Sequence, residues 1–362
     1  MPHLSLPEEC SGTIGIQDRS DFVVVAAKAI HVNRLSVAFN RLGSMPSLER
    51  FIAFIFEVLH ARSLIKEPDF DLAKQLFEEG GAEGMSEAYD ELGLMHEVGT
   101  GTPVNLTEAV KFYNLSARQG GPNGMYHKGR CFLMGIGVRK SIADAMIWLG
   151  KAAHENHSEA CFFMGALYES GQEIEQDLEM ASNFFERGAS LGSSACQLRL
   201  GMMYQDGIGR DQDLDQAFHL FTLSANSHNP AGQYRLGCLY LLGEGVEKDF
   251  ELAREKIELA AEQGLPEALC ELGAFYGKGL GVPVDRAKSI ELYKQAAEAG
   301  HAISSCNLGV IFLNGDGVDQ DIETGARYLS NAARLGSEEA KRLLLELKER
   351  HGIETPETPT VQ

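Results

Sequence analysis

Several groups of residues in the chain have types and spacings that could do chemistry. His154, His157 and Cys161 form H-x2-H-x3-C, ligand types that suit zinc. They cross a helix end, a turn and the next helix, and no fourth ligand stands close in sequence, so no metal is expected there. The stretch Tyr276-Gly277-Lys278-Gly279-Leu280-Gly281 imitates a phosphate-cradling loop, but it lacks the Gly-Lys-Ser/Thr ending that such a loop needs. No G-x-S-x-G or comparable Ser/His/Asp signature is present. The 7 cysteines, at positions 10, 131, 161, 196, 238, 270 and 306, are odd in number and form no CxxC pair. They read as small buried apolar residues rather than a disulfide framework, which makes a reducing, cytoplasmic compartment the expected one. Asn105-Leu-Thr and Asn114-Leu-Ser fit the glycosylation pattern, which requires export. No catalytic residue, cofactor or metal is expected.

The elements that would position these residues repeat. Every 36th residue from Gly93 is glycine: Gly129, Gly165, Gly201, Gly237, Gly273 and Gly309. A second column runs from Gly99 to Gly315 without a break, and a third from Gly101 to Gly317 breaks only at Glu173. Ala117 heads an unbroken alanine column that ends at Ala333. Each unit reads as two helices joined by a glycine loop. In the fourth unit the first helix (A) covers roughly Ala195 to Gln205, and the second (B) starts after Asp213. Asn105, Ser141, Asp177, Asp213, Asp249, Asp285 and Asp321 share the position before helix B, and each is a capping type. Helix B stops before Gly120, Asn156, Gly192, His228, Gly264, Gly300 and Gly336, residues that accept a left-handed turn. A glycine inside helix A costs about 1 kcal/mol against alanine, so the Gly93 column implies close helix contact. The Ala117 column is expected opposite it, against the next unit, with Tyr168, Tyr204, Tyr240 and Tyr276 filling the space between units.

Residues 51–84 read as an atypical first repeat, with Asp69, Ala73, Phe77, Gly81 and Gly84 in register with the second half of a unit. The expected organisation is a disordered 1–20, an N-terminal helical cap and first repeat at 21–84, a repeat array with a closing helix at 85–350, and a disordered tail at 351–362. The fold class expected is an all-α solenoid of about seven 36-residue repeats. The chain has 32 Lys+Arg against 52 Asp+Glu, a net charge of −20. This excludes nonspecific attraction to nucleic acid or to anionic membranes. No apolar run is long enough to span a membrane, and residues 1–10 do not resemble a cleavable signal.

The unit A-x-x-x-L-G-x-x-Y-x-x-G-x-G-V-x-x-D, closed by A-A-x-x-G, resembles the Sel1-like repeat, a relative of the tetratricopeptide repeat. The fifth unit shows it through Leu236-Gly237, Tyr240, Gly243, Gly245-Val246, Asp249, Ala260-Ala261 and Gly264. Departures are Gly124, Cys196, Gly232 and Ser304 for the opening alanine, Glu173 in a loop, and Lys128 where leucine is usual. The resemblance implies a non-catalytic scaffold or adaptor for protein complexes, in signalling, protein quality control or host contact. It also offers an alternative: an enzyme of the cysteine-rich type, a hydrolase, or another small-ligand-binding protein. In such relatives a cysteine on each helix of a unit pairs. Here the repeat cysteines fall on A helices without B-helix partners, which weakens that alternative.

In tetratricopeptide-like stacks helix A lines the concave face. Three residues before the helical glycine, one after it and four after it point away from the core at 100° per residue. Those positions supply Tyr126, Phe162, Leu198 and Tyr234, with Arg130 and Met202 beside them. Aromatic residues and Arg are the usual interface anchors, so this strip is expected to bind a peptide or helix of a partner protein. The other reading makes the same column half-buried core. The acidity has two readings as well. It lies outside residues 1–66, which carry 7 Lys+Arg and 6 Asp+Glu. It serves as a solvated surface or steers a partner with basic flanks. Trp148 shares a column with Phe112 and Phe184 and reads as packing.

Overall fold

A computed structural model describes residues 70–351. The expectations for 1–20, for the helices of the cap within 21–69 and for the tail at 352–362 fall outside the described residues. Among the described residues there are sixteen helices and no strand. They are α1 (Phe70–Ala82), α2 (Ser86–Val98), α3 (Leu106–Arg118), α4 (Pro122–Met134), α5 (Ile142–His154), α6 (Ser158–Ser170), α7 (Leu178–Ser190) and α8 (Ser194–Asp206). There follow α9 (Leu214–Asn226), α10 (Pro230–Leu242), α11 (Phe250–Glu262), α12 (Pro266–Lys278), α13 (Arg286–Glu298), α14 (Ala302–Asn314), α15 (Ile322–Arg334) and α16 (Glu338–His351). Even-numbered helices from α2 to α14 are A helices, and the odd-numbered helices that follow them are B helices. The chain divides into two compact units, one ending at Met164 and the other starting at Gly165.

The polar column before helix B does what its chemistry predicts. Asn105, Ser141, Asp177, Asp213, Asp249, Asp285 and Asp321 each accept a hydrogen bond from a backbone N–H two or three residues on. Their own backbone N–H groups reach back to helix A and donate to the carbonyl three residues after the helical glycine, at 2.8 to 3.0 Å. One residue thus starts helix B and closes the loop on helix A. The left-handed turn after helix B is equally regular. The only non-glycine residues with positive φ among those described are Asn156 and His228, at 63° and 57°, and both stand in the column where the other repeats use glycine. Asparagine is enriched in that conformation because its side chain can bond locally.

The helical glycines have a partner the sequence did not reveal. A Cβ at Gly201 would stand 2.7 Å from the ring of Phe221, and one at Gly237 would stand 2.6 Å from Ile257. In every repeat the residue met lies 20 positions later on helix B of the same repeat: Tyr113, Leu149, Phe185, Phe221, Ile257, Tyr293 and Leu329. The close approach is internal to each repeat, so the alanine column does not face it. Alanine is seen against the next repeat instead: a Cβ at Gly124 would stand 2.8 Å from the backbone nitrogen of Ala117, and one at Gly232 3.0 Å from that of Ala225. The tyrosines also divide. Tyr240 packs edge-on against Phe218 of the preceding repeat, whereas Tyr168 stacks on Phe184 of its own.

Each unit has its own core. In the first, Ala109, Tyr113 and Cys131 are buried with Val110, Ile136 and Val138 around them. In the second, Phe221, Leu236 and Leu239 form one cluster, and Ile257, Leu272, Phe275, Tyr293 and Leu308 belong to another. Helix α16 is rich in charge, yet it buries Ala340, Leu344 and Leu347 along one stripe. Helix α1 buries Phe77 and brings Gly81 against the ring of Tyr89.

Candidate functional site

The strip expected on the A helices falls in both units, and each part is described separately. In the first unit Tyr126 and Arg130 stand one turn apart on α4, and Phe162 lies on α6. All three are half-buried. Arg130 Nη2 donates to both carboxylate oxygens of Glu97 at 2.5 Å, and the Tyr113 hydroxyl donates to Glu97 Oε2 at 2.7 Å. Burial opposes the Arg130 charge, but Glu97, Tyr113 and Tyr126 outweigh it and hold the guanidinium protonated. Tyr126 lies flat on His157 at 4.4 Å between ring centroids and tilts against Phe163 at 5.9 Å. Phe162 meets Phe163 edge-on at 6.1 Å. Burial raises the Tyr126 phenol above its usual range, so it stays a neutral donor and acceptor at any physiological pH.

In the second unit Leu198 and Met202 are half-buried on α8 and lean on the Phe221–Leu236 cluster. Tyr234 on α10 leans on the Ile257 cluster, and its phenol bonds to the Cys238 thiol. Burial pushes that phenol up, and pushes the Cys238 thiol up to about 11. Arg199 pairs with Glu169, and Gln205 Nε2 donates to Glu244 Oε2 at 3.0 Å. The ties Glu97–Arg130, Glu169–Arg199 and Gln205–Glu244 each join one repeat to the next. In each case the earlier partner comes from the position four after the helical glycine. That column was visible in sequence, but its partners lie 30 to 39 residues away and carry no local mark. Glu97, Tyr113 and His157 therefore join the strip without having been singled out for it. Elsewhere in the Tyr126 column, Asp90, Cys270 and Cys306 are buried.

The other chemical groupings separate. His157 Nδ1 accepts from the Ala160 N–H at 3.3 Å while its Nε2 lies 3.1 Å from Asn123 Oδ1, so it caps α6. His154 is exposed and Cys161 buried. No group of three or more His, Cys, Asp or Glu with metal-site geometry occurs among the described residues. The six cysteines described are free thiols, and burial pushes Cys131 up to about 11 and raises Cys270 and Cys306 as well. Such thiols are poor nucleophiles. In the glycine-rich stretch, Lys278 is exposed at the end of α12 and Gly279 and Gly281 form the ordinary repeat loop with positive φ. No helix among the described residues is long and apolar enough to cross a membrane.

The Sel1 repeat family model matches seven consecutive segments, 86–121, 122–157, 158–193, 194–229, 230–265, 266–301 and 302–337. Among solved structures, the chain is similar to a protective antigen of uropathogenic Escherichia coli displaying an SLR fold. The TM-score is 0.68 and the identity 27% over 80% of this chain and 62% of that one. It is also similar to a Sel1 repeat protein from Oxalobacter formigenes, with a TM-score of 0.61 and 28% identity over 77% of this chain and 81% of that one. This chain therefore spans less than two thirds of the Escherichia coli antigen's structure. No curated protein matches it.

Proposed function

Because the chain belongs to the Sel1 repeat family, whose members are generally protein-interaction scaffolds, we propose that it is a non-catalytic adaptor that binds a peptide or helix of a partner protein along its A helices. The observation that supports this reading most is the set around Tyr126. Four aromatic rings and an ion-paired Arg lie half-buried together on a framework that is otherwise a uniform repeat. Half-burial lets such residues be held rigid by one side and cover a partner with the other, which lowers the entropy cost of binding. Leu198, Met202 and Tyr234 offer the same half-covered apolar surface in the second unit. Basic flanks on the partner suit the acidity of the chain.

The test is affinity capture with mass spectrometry, followed by alanine at Tyr126, Arg130 and Tyr234, one at a time. Loss of a reproducible protein partner by variants that remain folded is the expected result. A large fall in melting temperature with capture intact would assign these residues to the core and sink the proposal.

A further inference from the structure

The residue before the helical glycine is apolar in six of the seven repeats: Leu92, Met164, Leu200, Leu236, Leu272 and Leu308. None of them is more than 4% exposed. In the second repeat the position is Lys128, and it is half-buried. Setting an ammonium where the other repeats bury hydrocarbon costs desolvation energy. Burial, then the charges of Arg118 and Lys151, lower the Lys128 pKa from its ordinary value. A residue that breaks the rule of its own repeat at a cost in stability is where function is to be sought.

Its surroundings fit an anion. Lys128 Nζ lies 3.6 Å from the ring centroid of Trp148, the only tryptophan of the chain, and Lys151 Nζ lies 4.4 Å from the same ring. Lys128 Nζ also donates to Asn114 Oδ1 at 2.5 Å. Arg118 stands one helical turn beyond Asn114 on α3, and so on the same face. Arg118 and Lys151 are exposed, and neither side chain makes an ion pair or hydrogen bond among the described residues. The carboxylate acting on Lys128 is Asp144, which is engaged at the start of α5 by the Ser141 hydroxyl at 2.6 Å. Three cations thus gather without a paired carboxylate in a chain that has 52 acidic residues. Lys128 is two positions from both Tyr126 and Arg130, about 200° around α4, so this cluster faces away from the strip described above.

We propose that Lys128 and Lys151, which lie over the Trp148 ring, form with Arg118 of α3 a binding site for a phosphate-type dianion. A carboxylate would leave the cluster strongly positive. A phosphate monoester carries about −1.5 to −2 charges and three acceptor oxygens, enough to receive both ammonium groups and the guanidinium fork. The indole ring attracts both ammonium groups by cation–π interaction, and Asn114 fixes one of them. The site is independent of the partner strip and stands or falls separately from it.

The sole tryptophan is the reporter. The full chain is titrated at fixed ionic strength with inorganic phosphate, and separately with a phosphoserine peptide, against chloride and acetate controls. A saturable change in Trp148 fluorescence with phosphate, the peptide or both is expected, and the tighter probe identifies whether free phosphate or a phosphorylated protein is the source. Lys128→Leu restores the hydrocarbon of the other repeats. It is expected to keep or raise the melting temperature while weakening phosphate binding, measured by calorimetry, about tenfold or more. Lys151→Gln is expected to weaken binding at unchanged melting. No saturable response to either probe, an equal response to acetate, or undiminished binding by Lys128→Leu would overturn the proposal.

Discussion

Gly201 leaves no space for a methyl group, since an added Cβ would stand 2.7 Å from the Phe221 ring. Gly201→Ala is therefore expected to destabilise the chain by about 1–3 kcal/mol through overpacking, read as a shift of the denaturant midpoint. Gly264 is the opposite case. Nothing lies within 4 Å of an added Cβ, but its φ is +81°. Gly264→Ala should cost about 1–2 kcal/mol by conformation alone, and Gly264→Asn should cost less, as Asn156 shows at φ 63° in the equivalent turn of another repeat. Equal losses for Ala and Asn would refute the conformational account. These duties of glycine were legible in the sequence because each is local and recurs in register. The partner of the Gly93 column was not. Tyr113, Leu149, Phe185 and Ile257 share a position but neither size nor shape, so no residue type marks the column. Lys128 was legible as a departure, while its indole neighbour read only as packing.

At the scale of the helix, capping is where sequence chemistry and structure meet most directly. Asp213 accepts from the N–H groups of both Asp215 and Gln216, and Asp213→Ala is expected to cost about 0.5–2 kcal/mol, visible in thermal melts. The A helices are capped too, but by a mixed set. Ser193 and Asn229 accept through oxygen, as Ser337 does for α16, and His157 and His301 accept through a ring nitrogen. That column also contains Gly121 and Leu265, which hid its role from a reading by residue type. A histidine cap works only while neutral. Burial lowers the His301 pKa below 6.5, with Glu267 on the preceding A helix opposing it. The unfolded chain therefore takes up the proton first as pH falls. The stability contributed by this cap is full above about pH 6.5 and is lost progressively below it. Melting temperatures followed from about pH 7.5 to 5.5 should fall, and His301→Asn, which keeps an acceptor that does not titrate there, should flatten the curve. A curve unchanged by that substitution would show that the His301 proton is not involved.

For the whole molecule, 52 acidic residues against 32 basic ones make self-repulsion a standing term. Raising the salt from about 10 to 150 mM shortens the screening length to about 8 Å, and the melting temperature is expected to rise. A fall would mean that the ties such as Glu97–Arg130 outweigh the repulsion. The repeat architecture was legible over the whole array, since seven copies in register leave little to chance. The strip was legible only as a set of helix positions. Which of its residues are held, and by what, depends on contacts such as Glu97–Arg130, 33 residues apart, which no periodicity encodes. One feature of the packing reaches past this molecule. Each helical glycine and the side chain it admits belong to the same repeat, so this particular fit is not shared between neighbours. A gene coding for such a chain can duplicate or lose one whole segment and leave every remaining helical glycine with its own counterpart. It can also let the two drift together, copy by copy, which is how a single motif comes to seat tyrosine, leucine, phenylalanine and isoleucine in turn.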